Sequence, residues 1–122
     1  MTLRINNAAM RARVMDRGVE LAGRVGVADS ILTRMKGLLG KKSLPEGEAL
    51  WLRPCNSVHT FGMRFPIDVI FLDRHQRVVA LFRDLRPNRL TIPSFSASSA
   101  LELPAGTIGR AAVSIGDRVS IQ

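Results

Sequence analysis

The sequence predicts an α+β fold, mostly β: a single small domain with an antiparallel or mixed sheet, a barrel-like curl left open, and one main helix. Three observations carry this. The chain has 122 residues with 46% hydrophobic and 23% charged, which suits one ordinary folded domain that buries most of its surface. Short apolar runs rich in Val, Ile, Leu and Phe recur between turn residues. Only one stretch shows a sustained helical period, so a doubly wound parallel fold lacks the helices it would need.

Residues 1–12 show no period and are expected to form a loose N-terminal arm, with the domain at 13–122. "RVMDRGVELAGRVGVA" is expected to make a hairpin at about 13–27, turning at Asp16-Arg17-Gly18. Asp29 or Ser30 can cap a helix that carries Ile31, Leu32, Met35, Leu38 and Leu39 on one stripe, with Gly40 beyond its end. A strand at 49–53 stops at Pro54. "PIDVIFLD" and "RVVALFRDL" are the strongest strands and predict a hairpin at the centre of the sheet. "RPNRLTIPSFSAS" reads as a surface crossing, "SALELPAG" as a strand, "TIGRAAV" as one helical turn, and "IGDRVSIQ" as a tight turn into a closing strand.

No run reaches the eighteen or so apolar residues of a membrane helix, and the first residues carry charges where a secretory apolar region would lie. The single cysteine fits a reducing compartment. A cytoplasmic chain with no membrane partner is therefore expected. The net charge of +8 suits an anionic partner. Without tyrosine and with one tryptophan, any contact with nucleic acid is expected to be unspecific.

Cys55 and His59 are the first candidate pair. If 55–63 runs as a strand, Cys55, Ser57, His59, Phe61 and Met63 share a face, and Cys55 and His59 stand about 13 Å apart. One thiol and one imidazole make half a zinc site, so no metal and no cofactor are expected. Asp68 and Glu102 interrupt apolar strands, where an ionised carboxylate needs partners. Those expected are His59, Arg64, Arg110 and hydroxyls such as Thr60, or backbone amides that tie a turn to the sheet. Convergence of His59, Asp68 and Glu102 would make an acid–base site. Ligand-binding candidates are Cys55, His59, Met63, Arg64, Asp68, Glu102 and Arg110.

Taken in order, "RMKGLLGKKSL", "HTFGMRFPIDVIFLD", "RVVALF" and "ALELPAGTIGRAAVSIGDRV" resemble domain-of-unknown-function family 192, over about residues 13–122. Its pattern is matched by Arg34, Gly37, Leu38, Lys41 and Leu44, then Met63, Pro66, Ile67 and Asp68, then Leu101 to Gly106, and finally Gly116 and Asp117. Many members resemble Trp-Met-Lys-Asn before the proline strand, whereas this chain has His-Thr-Phe-Gly-Met. The resemblance implies a small β-rich domain and no established reaction. The leading functional expectation is a non-enzymatic binding or accessory module for a small anionic ligand or a protein partner, with Arg64 or Arg110 meeting the anion. The alternatives are a hydrolase-like enzyme with His59 as base, oriented by Asp68 or Glu102, and a weak, unspecific nucleic-acid binder.

Overall fold

The computed structural model describes residues 10–122. Most of the expected N-terminal arm, residues 1–9, lies outside the described residues. Strand pairing already begins at Arg11, whose N–H donates to Gln122 and whose carbonyl accepts from it.

The strands are β1 (Ala12–Val14), β2 (Val19–Ala22), β3 (Arg24–Ala28), β4 (Glu48–Leu52), β5 (Ile67–Leu72), β6 (Val78–Leu85), β7 (Ser99–Pro104) and β8 (Val119–Ile121). The helices are α1 (Ile31–Lys36) and α2 (Thr107–Ala111). They build two open sheets, one of order β2-β1-β8 and one of order β3-β4-β7-β5-β6. The second is mixed, because β3 runs parallel to β4 while the other pairs are antiparallel.

Two departures from expectation concern strand placement. The hairpin ends at Ala22, and β3 crosses to the other sheet instead of prolonging it. The β5–β6 hairpin is not central: β7 holds the middle of the larger sheet, and β6 is its edge.

All six residues of β5 and all six of β7 are buried, since both faces of the larger sheet are covered. Side chains alternate across a strand, so each face has its own core. Ile70, Leu72, Trp51, Leu101 and Leu103 pack against the small sheet and against Ile108 and Ala111 of α2. On the other face Val69, Phe71, Leu50, Leu52 and Ala100 pack against Leu38, Leu44, Val58 and Met63. That second layer is built from the turn after α1 and irregular chain.

Ser30 caps α1, accepting the Thr33 N–H at 3.1 Å, while the Thr33 hydroxyl accepts the Ser30 N–H at 3.1 Å. Gly37 ends the helix at φ +48°. The expected core stripe of this helix fails over its first turns. Ile31, Leu32 and Met35 are about two-thirds exposed, and only Leu38, beyond the helix end, is fully buried.

Candidate functional site

The chain leaves β4 at Pro54, which cannot donate to a ladder, and segment 54–63 runs as a bent crossing and not as a continuous strand. The loop at 86–98 holds it. Cys55 N–H donates to the Ser98 carbonyl at 3.0 Å, and Val58 and Thr91 exchange bonds through N–H, carbonyl and hydroxyl groups at 2.8 and 2.9 Å. The buried Thr60 hydroxyl donates to the Arg86 carbonyl at 2.6 Å and accepts from the Arg89 N–H at 2.9 Å. Thr60 thus braces the loop and pairs with neither carboxylate. Gly62 sits at φ +78°, so the turn after Phe61 calls for glycine, and a Cβ there would also press on the Leu39 side-chain tip at 3.3 Å.

Between this crossing and α1 lies a cavity of about 320 Å³. Its walls are Ile31, Arg34, Met35, Lys36 and Gly37–Leu39 on one side, and Leu52, Pro54–His59 and Met63 on the other. Glu102 of β7 also lines it. Further apolar side chains stand in solvent on the same crossing and its brace: Phe61 stacks on His59 with centroids 5.4 Å apart, Leu90 bridges to His59, and Phe95 is almost fully exposed.

Cys55, His59, Met63 and Glu102 therefore come together, as lining of one groove. Asp68, Arg64 and Arg110 do not line it. Asp68 pairs with Leu103 and Glu102 with Val69, so the two carboxylates point from opposite faces of the sheet. The convergence of His59, Asp68 and Glu102 that an acid–base site would need does not occur. Arg64 is exposed outside the groove. Arg110 lies on α2, 3.6 Å from Glu46 and bonded to the Glu20 carbonyl, on the face that Asp68 serves.

The carboxylates differ in their partners too. Asp68 accepts the Asp84 N–H at 2.9 Å, the Gly106 N–H at 3.1 Å and the Ile108 N–H at 2.8 Å, tying β6 and the start of α2 to β5. Asp84, at φ +51°, turns its amide out of the β6 ladder where the β5–β6 register slips. Gly106, at φ +95°, supplies the left-handed turn that aims two amides at one oxygen.

Glu102 is 3% exposed, and its Oε1 has no hydrogen-bond partner among the described residues. The backbone-amide anchoring expected for both carboxylates thus holds for Asp68 and fails for Glu102. Burial pushes the Glu102 carboxyl up to about 8, so it is mostly protonated at neutral pH.

Burial likewise pushes the Cys55 thiol up, and its S–H donates to the Ser57 carbonyl at 3.1 Å. A thiol held protonated is a poor nucleophile. His59 Nδ1 accepts the Phe61 N–H at 3.3 Å. Among the described residues no cluster of three His, Cys, Asp or Glu side chains could hold a metal ion, and no helix is long and apolar enough to cross a membrane.

The sequence does not single out Arg34 and Lys36 as site residues, though Arg34 stands in the family pattern. Its signal was position: on a short capped helix, Arg34 falls beside Met35 on the wall that faces Cys55, and it also donates to the Asp29 carbonyl at 3.2 Å.

A two-sheet α+β domain with a mainly apolar groove whose lining includes a buried acid is the class that fold and site define. The chain belongs to the DUF192 family, described as Uncharacterized ACR, COG1430, whose model matches residues 12–121. It is 36% identical over 107 residues to a UPF0127 protein of Thermococcus sibiricus, covering 84% of this chain and 69% of that one. To UPF0127 protein PF1050 of Pyrococcus furiosus it is 35% identical over 108 residues, covering 84% and 90%.

Two crystal structures share the fold. A protein of unknown function from Novosphingobium aromaticivorans matches with a TM-score of 0.75 at 19% identity, covering 91% of this chain and 82% of that one. A protein from Sinorhizobium meliloti, described as a candidate transcription regulator, matches with a TM-score of 0.79 at 22% identity, covering 92% and 91%.

Proposed function

We propose that the chain is a non-catalytic binding or accessory module that receives an apolar ligand or peptide in the α1 groove. Arg34 at its mouth, in place of Arg64 or Arg110, meets an anionic group. One observation carries the reading: a cavity of about 320 Å³, lined by apolar side chains with a few polar ones, includes in its lining a buried carboxyl with an unpartnered oxygen. Protein interiors close voids larger than a few waters, and an apolar cleft with few polar groups is the common form of a binding site. Arg34 and Lys36, on a chain of net charge +8, favour a negative end on the ligand.

The hydrolase reading draws less support. His59 has no carboxylate to orient it, Asp68 is engaged on the far face, and the Cys55 thiol is held protonated.

Titration with 8-anilinonaphthalene-1-sulfonate, an apolar anion, tests the binding reading. The parent should bind and brighten the dye, and Arg34→Gln and Met35→Glu should each weaken binding about tenfold with unchanged melting. No binding by the parent, or equal binding by all three proteins, would overturn the reading.

A second activity, unspecific affinity for nucleic acid, draws on the exposed Arg83, Arg86 and Arg89 of β6 and the loop after it. Such affinity should fall steeply between low and physiological salt and ignore oligonucleotide sequence. Selective binding at physiological salt would contradict it.

A further inference from the structure

The Glu102 carboxyl is the polar feature of the groove that the binding reading leaves without a task. It is 97% buried by the measure of its 3% exposure, it lines the cavity, and its Oε1 is orphaned. Its sheet neighbours offer nothing: Leu50 stands opposite on β4 and Val69 on β5. The charged and titratable groups that face the cavity are Arg34 and Lys36 from α1 and Cys55 and His59 from the crossing. None bonds to Glu102. A buried polar atom without a partner is destabilising, so the Glu102 carboxyl is the group of the groove wall with most to gain from a polar partner. The cavity has far more room than a single bridging water needs.

Resting on the groove as the binding site, we propose that its inner end selects an uncharged amide, which offers a carbonyl acceptor and an N–H donor side by side to the Glu102 carboxyl. The acid O–H donates to the amide carbonyl, and the amide N–H donates to the orphaned Oε1, so both polar groups are satisfied in an apolar setting. A carboxylate ligand supplies no donor. An ammonium ligand must pass Arg34 and Lys36 against like charge, and it offers no acceptor to the acid O–H, so the carboxyl would first have to release its proton to solvent. The raised acidity range of Glu102 agrees with this choice, since the carboxyl is neutral where the amide would meet it.

Hexanamide, hexanoate and hexylamine, titrated calorimetrically into the full chain at pH 6.5 and 9.0, separate these chemistries, because none of the three changes charge in that interval. A capped tripeptide with a central glutamine, run beside them, tells a side-chain carboxamide from a small free amide. At pH 6.5 hexanamide or the glutamine peptide should bind at least about tenfold tighter than hexanoate and hexylamine. At pH 9.0 that advantage should shrink about tenfold, as a group titrating near 8 requires. Glu102→Gln, which keeps the shape and cannot ionise, should show no such pH dependence, and the difference between the two profiles belongs to Glu102 alone. Tightest binding of hexylamine or of hexanoate at pH 6.5, or a Glu102→Gln profile as steep as the parent's, would overturn the proposal. Equal binding of all ligands, or dye binding with none of them bound, would overturn it while leaving the groove as a binding site. Failure of the dye as well would remove both.

Discussion

Asp68 and Glu102 stand on paired strands at adjacent register positions, each flanked by apolar residues, and each is buried to within a few per cent. Asp68 faces α2 and collects three backbone amides; Glu102 faces the groove and leaves an oxygen unbonded. The same local pattern therefore produces a fastening on one face of a sheet and an unmet demand on the other. What decides is the layer opposite. The face covered by α2 brings helix-start amides to the strand, whereas the face covered by the irregular crossing brings side chains of Leu, Met and Cys.

The largest effect expected from this contrast is at Asp68. Asp68→Ala orphans three donors at roughly 1–3 kcal/mol each, so the melting temperature should fall by about 10 °C or more. A drop of only a few degrees would show that α2 and β6 are held by packing alone.

The mirror experiment is Glu102→Gln. Folding favours the protonated form of Glu102, so its contribution is full below about 4.5 and is lost as pH rises toward 8, by up to about 1.4 kcal/mol per pH unit. The variant should melt several degrees above the parent at pH 9 and about equally at pH 4.5. Thermal melts across that range check the sign, and a variant less stable than the parent at pH 9 would mean that Glu102 has found partners after all.

A smaller loss is expected at Thr60→Val. Its hydroxyl serves two backbone groups of the 86–89 loop, so stability should fall by about 1–2 kcal/mol. The loss should fall on the groove side, loosening exchange protection of the Thr60 and Arg89 amides while α2 keeps its own. The smallest effect is at Met35→Ser, a side chain 67% exposed, which should leave the melting temperature within about 2 °C. A large loss there would mean that the rim of the groove is part of the core.

Much of the architecture was legible in the sequence. Short apolar runs bounded by turn residues marked β5, β6 and β7, and the Ser30 cap and the turn at Arg17-Gly18 placed α1 and the first hairpin. Strand order was not, because a run buried on both faces, as in Ile67–Leu72 and Ser99–Pro104, does not say which strand is central. The stripe Ile31, Leu32, Met35 has the helical period of a core face yet stands in solvent; amphipathicity records an apolar side but not its neighbour. The candidate site was half legible. Cys55, His59, Met63 and Glu102 were chosen for their chemistry and do share a cavity, though not through the strand geometry that would have separated Cys55 from His59. Pro54 and the turn at Gly62 bend that segment by long-range bonds to Ser98, Thr91 and Arg89, which no local pattern displays. Arg64 and Arg110 were chosen for charge alone, and charge does not fix a direction.

The short helix α1 forms the outer wall of the groove without burying any of its own side chains. Six residues are too few to hold a helix in water by propensity, so its persistence rests on the Ser30–Thr33 box at one end and on Leu38 just past the other. Its amides should exchange with solvent long before those of β5 and β7, through local opening that leaves the sheets intact.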